Sequence, residues 1–564
     1  RYAKLCFAML QHFVLLTSKG KPKTEKNHHI LISKCRLKSV FSDFYKRLNI
    51  RRKHMLSKTY SCGLTGIDGF SVCVQTDVSN GMVAFDIVGL PDTAVKEAKE
   101  RVRAAIKNSG LRFPAKHVIV NLAPANRRKE GTGYDLPITL SIINATEQLT
   151  IDKIDKTMFI GELSLDGTLN PVSGVLPMVI SAYKNGFCRA FVPAENASEA
   201  AVVEGIEVYP VHSLKELCAH FMGEKKILPI KVDLDEIFAR ERENLLDFHD
   251  VKGQEHIKRA LEIAAAGNHN VLLIGSPGTG KTMLAQRMGS ILPELTFDEA
   301  LEVTKIHSIA GELSERQPLI TQRPFRSPHH TISAAGLSGG GTVPKPGELS
   351  LAHNGVLFLD ELPEFGRNTL EALRQPLEDG CVTISRVNAT LTYPCNILLI
   401  ASMNPCKCGY LGDSRRKCTC TPAQINQYRN RISGPLLDRI DIQVEVDSVE
   451  YDKLSAAANG ETSAQMRDRV NAARKIQLER YKDMGIHSNS ELSTSGLDTF
   501  CRLGKEENAI LKSAFDNLGL SARAHGRILK VARTIADLEG AENINSVHIA
   551  EAIQYRSLDR KFFK

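Results

Sequence analysis

The octapeptide Gly275-Ser276-Pro277-Gly278-Thr279-Gly280-Lys281-Thr282 constrains this chain more than any other feature. It has the GxxxxGK[ST] form of a phosphate-binding loop, which requires a strand before it and a helix after it. Both are legible. Val271-Leu272-Leu273-Ile274 is a short apolar run bounded by polar residues, and Met283-Leu284-Ala285 opens a segment that can continue as a helix. Glycines let backbone N–H groups close around a polyphosphate, and the helix N-terminus adds favourable charge. Lys281 is placed to reach the β- and γ-phosphates of ATP, and the Thr282 hydroxyl to ligate Mg²⁺.

A second motif agrees with the first. Val356-Leu357-Phe358-Leu359 reads as a central strand and ends in Asp360-Glu361. An ATP-hydrolysing site needs one acid to hold Mg²⁺ and another to polarise the attacking water. Asp360 is assigned to the metal and Glu361 to the water.

Asp360 lies 79 residues beyond Lys281, more than one helix and a connecting strand require. The surplus contains Arg323-Pro324-Phe325-Arg326-Ser327-Pro328-His329-His330-Thr331 and the run Gly339-Gly340-Gly341. Two prolines and three glycines predict a structured loop or hairpin, not a continuous helix. Its two histidines suit a polar loop under the nucleotide better than a metal site. A second hairpin is expected between Val382 and Leu391, just before the strand Ile397-Leu398-Leu399-Ile400.

A chain of 564 residues has room for about three domains. Its formal charge of +9 is concentrated at one end: residues 1–54 hold fourteen Lys and Arg against two Asp and Glu, so the other 510 residues carry −3. The basic pI is therefore no sign that the body binds nucleic acid, and any such contact must come from local patches. The leading segment lacks periodicity and ends in Arg51-Arg52-Lys53-His54 before Met55. It reads as upstream or disordered sequence ahead of a start at Met55; a transit peptide is the alternative. No apolar stretch is long enough to cross a bilayer.

Thirteen cysteines without a secreted-domain framework suit a reducing, cytoplasmic setting. Four of them cluster. Cys406-x-Cys408 and Cys418-x-Cys420 fall within fifteen residues around Gly409, Gly412 and Asp413. Four thiolates so close could enclose a structural Zn²⁺. The CxC spacing is tighter than the usual ligand pair, which leaves unmetallated or redox-active thiols as the other reading.

Residues 55–213 have an α/β texture with alternating segments such as Phe70–Val74 and Val83–Ile87. A helix capped by Asp92 or Thr93 should place Val95, Ala98, Val102, Ala105 and Ile106 on one face and stop at Gly110. Residues 214–246, rich in charge, are expected to form a helical linker. The nucleotide-binding core is expected over 247–447. A mostly helical region over 448–564 should bury a face containing Ile510, Leu511, Ala514, Phe515 and Leu518.

Together these motifs resemble AAA+ ATPases, specifically the magnesium-chelatase-like family of the YifB/ComM type. The resemblance runs from Met55 to the C-terminus. It is carried by Ile87-Val88-Gly89-Leu90-Pro91, Val120-Asn121-Leu122-Ala123-Pro124-Ala125, Lys129–Pro137, the Arg323–Thr331 segment, Asn404-Pro405-Cys406 and Ser433–Asp441. It implies an N-terminal ribosomal-S5/Lon-like α/β domain, an AAA+ α/β core on a parallel sheet and a C-terminal helical lid. By resemblance, Asn404 is sensor 1, Arg439 the arginine finger acting on a neighbouring subunit's ATP, and Arg523 sensor 2 in the lid. A surface ion pair is the plainer reading of each arginine. A finger acting between subunits implies a ring, in this family a homohexamer with pore-facing hairpins.

A Lon-type protease needs a nucleophilic Ser and an activating Lys. The matching stretches Glu130–Asp135 and Gly174–Met178 contain neither, so protease activity is not expected. Arg127-Arg128-Lys129 is a candidate phosphate contact or an ordinary charge cluster. The resemblance favours a DNA-remodelling motor driving branch migration, as ComM-type members do, with Arg386 and Lys345 gripping phosphates. Protein remodelling and tetrapyrrole metal insertion are the alternatives.

Overall fold

The computed structural model describes residues 56–240, 246–314, 317–341, 344–386, 389–413, 416–448, 460–518, 520–558 and Phe562. The basic leading segment, residues 241–245 of the expected linker and the Val387-Asn388 tip of the second expected hairpin lie outside the described residues.

Alternation builds the first sheet. In β2 (Asp68–Ser79), which pairs with β1 (Leu56–Thr65), every second residue from Phe70 to Val78 is buried. The chain continues through β3 (Ala84–Val88), helix α1 (Thr93–Asn108) and β4 (His117–Ala123). Asp92 caps α1 by accepting the Val95 N–H, and α1 buries Val95, Ala98, Val102, Ala105 and Ile106, the face expected from spacing. Next come α2 (Asp135–Ala145), β5 (Thr157–Phe159), the small pair β6 (Glu162–Leu163) and β7 (Leu169–Asn170), α3 (Val175–Lys184), β8 (Arg189–Pro193) and β9 (Glu207–Val211). Seven strands form one mixed sheet in the order β3-β4-β2-β1-β5-β8-β9. Helix α4 (Leu214–Met222), expected in the linker, buries Leu214, Leu217 and Cys218 in this domain's core. Its charges dominate the local composition, but its apolar residues recur on one helical face.

The second sheet is parallel and holds the nucleotide motifs. Helix α5 (Glu255–Gly267) precedes β10 (Val271–Ile274), and α6 (Lys281–Gln286) and α7 (Phe297–Ala310) follow it. Strands β11 (Phe325–Arg326) and β12 (Val356–Leu359) come next, then the antiparallel hairpin β13 (Cys381–Arg386) and β14 (Ala389–Pro394), then β15 (Leu398–Met403) and β16 (Ile442–Glu445). The order is β11-β12-β15-β10-β16, with every neighbouring pair parallel. All residues of β10, β12 and β15 are buried, as a sheet covered on both faces demands. Val271 and Leu273 face one core with α5 and the C-terminal helices, whereas Leu272 and Ile274 face the other.

Of the structured loop or hairpin expected for the surplus segment, the loop is what forms. Within it Phe325–Arg326 is a parallel edge strand, and Ala334–Ser338 a short helix. Pro324 and Pro328 lack the N–H groups a longer ladder would use, which limits pairing to two residues. Beyond it Gly340 and Lys345 exchange backbone hydrogen bonds of 3.2 and 3.1 Å.

Helices α8 (Ser463–Arg480), α9 (Lys505–Leu518), α10 (Ala522–Leu538) and α11 (Ser546–Gln554) form the C-terminal layer. The first domain meets the core through an apolar seam of Leu176, Val202, Leu295, Ala300 and Leu319. Within it the Ser308 hydroxyl donates to buried Glu199 at 2.8 Å. Burial raises the Glu199 carboxyl, opposed by the Ser308 and Asn196 hydrogen bonds. Among the described residues no helix is long and apolar enough to cross a membrane.

Candidate active site

The phosphate loop bridges β10 and α6 at the C-terminal edge of the parallel sheet. Gly278 and Gly280 have φ of +78° and +89°, the left-handed region in which a side chain is strained. Gly275 is required for a different reason: a Cβ there would lie 2.4 Å from the Val446 carbonyl oxygen. Its N–H donates to the Met403 carbonyl at 3.1 Å, tying the loop to β15. The Thr279 hydroxyl donates to the Ser276 carbonyl at 3.0 Å. Pro277 packs against Gly409, where a Cβ would lie 2.6 Å from its Cδ.

Lys281 is buried, and its ammonium donates to the carbonyls of Gly275 at 2.7 Å and Ser276 at 3.0 Å. It also reaches Asn404 Oδ1 at 3.3 Å. Burial pushes this ammonium below the ordinary lysine range, opposed by the charges of Asp360 and Glu361. The structure thus brings Lys281, Asn404 and the two acids together from three strand ends.

Asp360 is tightly constrained. Its Oδ1 accepts the Ser402 hydroxyl and the Glu361 N–H, the latter at 3.1 Å. Its Oδ2 accepts the Thr282 hydroxyl at 3.0 Å. Two oxygens bound side by side to octahedral Mg²⁺ at about 2.0–2.1 Å would be about 2.9 Å apart, so Thr282 and Asp360 fit that ion. Glu361 takes φ of +54°, a conformation uncommon outside glycine, and its N–H also donates to Ser402 Oγ at 3.2 Å.

Ser402 was not singled out from sequence, although a hydroxyl in the wholly buried strand β15 needs a partner and so signals a site. Ser402→Ala is expected to lower the ATPase rate about tenfold, the value of about 1.4 kcal/mol in a barrier. Steady-state turnover beside nucleotide binding without Mg²⁺ checks this, because binding should be unchanged. Gln254 was also missed. It holds φ of +62° before α5 and donates to the Thr279 and Asp447 carbonyls at 3.0 and 3.1 Å.

Cys406, Cys408, Cys418 and Cys420 converge beside this loop, their sulfurs all within 4.8 Å of one another. The Cys406 sulfur lies 3.4 Å from that of Cys408 and 3.6 Å from that of Cys418. The cluster can hold a metal ion.

Arg439 and Arg523 lie elsewhere. Arg439 precedes β16 at the N-terminal edge of the sheet, where Asn270 donates to its carbonyl at 2.9 Å. The strand β10 separates this edge from the phosphate loop by about 13 Å at about 3.3 Å per residue. Its guanidinium bonds the Arg374 carbonyl at 2.7 Å, the Pro435 carbonyl at 2.8 Å and Glu378. Arg523, at the start of α10, is 63% exposed and lies 3.6 Å from Asp438. Both arginines line one cavity of about 320 Å³ with Asn270, Asp438, Asp441 and Arg527. Neither touches the phosphate loop of its own chain. Asp441 behind them is buried and bonded to His269 at 3.1 Å and to Arg527. Burial would raise its carboxyl, but Arg527 and His269 hold it well below the usual carboxylate range.

Of the candidate phosphate contacts Arg127, Arg128 and Lys129, the last is corrected by its burial. Lys129 is fully buried and donates to the Arg127 carbonyl at 2.8 Å and to that of Pro124. Arg127 stacks 5.0 Å over Phe70, and Arg128 pairs with Glu130 at 3.4 Å. The Lys129 ammonium is thus committed to backbone carbonyls and the Arg127 guanidinium to the Phe70 ring.

A parallel five-stranded sheet with a phosphate loop, an Asp-Glu pair and a polar strand end between them defines an AAA+-type ATPase. The family comparisons carry this further. The model of magnesium chelatase subunit ChlI matches residues 247–454, and models of further ChlI segments match 74–196 and, for the C-terminal part, 460–556. Competence protein ComM of Haemophilus influenzae is 44% identical over 510 residues, 90% of this chain and 98% of that protein. YifB of Escherichia coli is 44% identical over 508 residues, again 90% and 98%. The magnesium-chelatase 38 kDa subunit of Rhodobacter capsulatus is 27% identical over 331 residues, 54% of this chain and 84% of that protein. The chain belongs to the magnesium-chelatase-like YifB/ComM family.

Proposed function

We propose that the protein is a ring-forming motor that hydrolyses ATP at subunit interfaces and uses the energy to remodel single-stranded or branched DNA. The carrying observation is the separation of Arg439 and Lys281 to opposite edges of one sheet. A guanidinium that cannot reach its own triphosphate acts only on a neighbour's. That calls for head-to-tail interfaces, which form a ring when the rotation between subunits closes; a closed ring of six is what the family resemblance implies. Bound ATP would lie along residues 275–282 with Mg²⁺ on Thr282 and Asp360, and the metal would neutralise charge on the phosphates. Glu361 takes the proton of the attacking water, Asn404 orients that water, and Arg439 with Arg523 of the adjacent subunit faces the γ-phosphate.

Lys345, which pairs with Gly340, and Arg386, the last residue of β13, supply cations for a phosphate backbone. The 44% identity to a competence protein across nearly its whole length also favours a DNA client. The four cysteines belong to the same reading as a closed, structural Zn²⁺ site, because four thiolates leave no open position for catalysis. A cytoplasmic protein without peptidase activity completes it.

ATP turnover should rise with single-stranded or forked DNA but not with unfolded protein, and the stimulation should fall steeply with salt. Lys345→Ala with Arg386→Ala should remove the stimulation and leave basal turnover intact. Stimulation by unfolded protein alone would assign the motor to protein clients instead.

A further inference from the structure

We infer that the four-cysteine site is a metal-held brace for the phosphate loop, so that zinc occupancy sets how tightly the enzyme holds nucleotide. The inference rests on the zinc reading above and adds a consequence for the ATP site. Tetrahedral Zn²⁺ with bonds of about 2.3 Å places its sulfurs about 3.8 Å apart, whereas a disulfide places them at about 2.05 Å. The Sγ separations of 3.4 Å for Cys406–Cys408, 3.5 Å for Cys408–Cys418 and 3.6 Å for Cys406–Cys418 suit the ion and not the bond. Backbone N–H groups of Cys408 and Cys420 point at sulfur, each at 3.4 Å, as outer partners of ligating thiolates do.

The knuckle has two fastenings of different kinds. At its base, Arg429 of the helix Pro422–Arg429 donates to the Pro405 carbonyl at 3.2 Å, and Thr421 caps that helix. This fastening needs no metal. Above the base, only Cys406 among the four ligands is fully buried, and Gly409 and Gly412 hold left-handed φ of +86° and +87°. So polar a loop has little apolar surface to hold its shape, and the sulfur cage supplies the constraint. The held part is the part that touches nucleotide machinery. Gly409 packs so closely on Pro277 that a Cβ would come within 2.6 Å of it, and Asn404, two residues before Cys406, meets Lys281 at 3.3 Å. Loss of the ion should therefore loosen the roof over Pro277 while the base and the sheet stay folded.

The test uses the full chain purified without chelator. Zinc is counted by mass spectrometry of the metal, and affinity is read with a fluorescent ATP analogue. One zinc per chain is expected. Cys418→Ser with Cys420→Ser should lose it and weaken analogue binding about tenfold, with far-UV circular dichroism unchanged. Gly409→Ala keeps every thiol, so it should retain zinc yet also weaken binding by pressing on Pro277. If the double variant fails to fold, Gly409→Ala and mercurial-driven zinc release from the native chain carry the test. Absence of zinc from the native chain would overturn the zinc reading and this inference together. Zinc present, with zinc-free protein binding the analogue like the native chain, would overturn the brace alone.

Discussion

Lys281→Ala is expected to weaken ATP binding by at least about 100-fold and to abolish hydrolysis, since each charge-assisted hydrogen bond to phosphate is worth about 1.5–3 kcal/mol. The fold should survive. Lys281 is a buried cation whose desolvation already lowers its proton affinity, and the oxygens it bonds belong to the loop itself, Gly275 and Ser276. Removing it therefore costs the core little, while the phosphates lose their cation. Isothermal titration beside thermal melting separates the two effects. Binding within a few-fold of the native chain would show that the loop holds triphosphate by backbone N–H groups alone.

Arg439→Ala is expected to lower turnover by about 10³–10⁵, the range for arginine fingers, and to leave ATP binding intact. The contrast with Lys281 follows from geometry. One group sits on the loop after β10, and the other precedes β16 beside Asn270 at the opposite strand end. Mixing is the sharper measurement. Lys281→Ala and Arg439→Ala chains, each inactive alone, should regain activity when assembled together. In an equimolar random ring about a quarter of the head-to-tail interfaces would pair an intact loop with an intact finger. No recovery from rings shown to be mixed would mean that Arg439 only anchors Arg374, Pro435 and Glu378 within its own chain.

Much of the fold was legible because local rules set it. Periodicity alone identified the buried face of α1, and the apolar runs before Gly275 and Asp360 identified two strands of the parallel sheet. Other parts misled for physical reasons. Residues 214–222 do form a helix, as expected of the linker, but charge at Lys215 and Glu216 concealed that its apolar face completes the first core. The Arg323–Thr331 segment suggested a structured loop or hairpin without its edge strand, because two residues of pairing leave almost no periodic trace. Lys129 looked exposed among arginines, yet it is buried against the Pro124 and Arg127 carbonyls, a state set by where the backbone runs and not by residue type.

At the site, sequence supplied the chemistry without the distances. The phosphate loop, the Asp-Glu pair and the four cysteines were determined by residue identity and spacing, because glycine conformations, carboxylates and thiolates carry their chemistry wherever they fall. Tertiary structure alone decided which groups meet. Strand pairing set Ser402 beside Asp360 and Asn404 beside Lys281, and it sent Arg439 and Arg523 to the far edge. Such meetings join residues up to 123 apart in the chain. The register of a parallel sheet decides them, and no window of sequence contains that register.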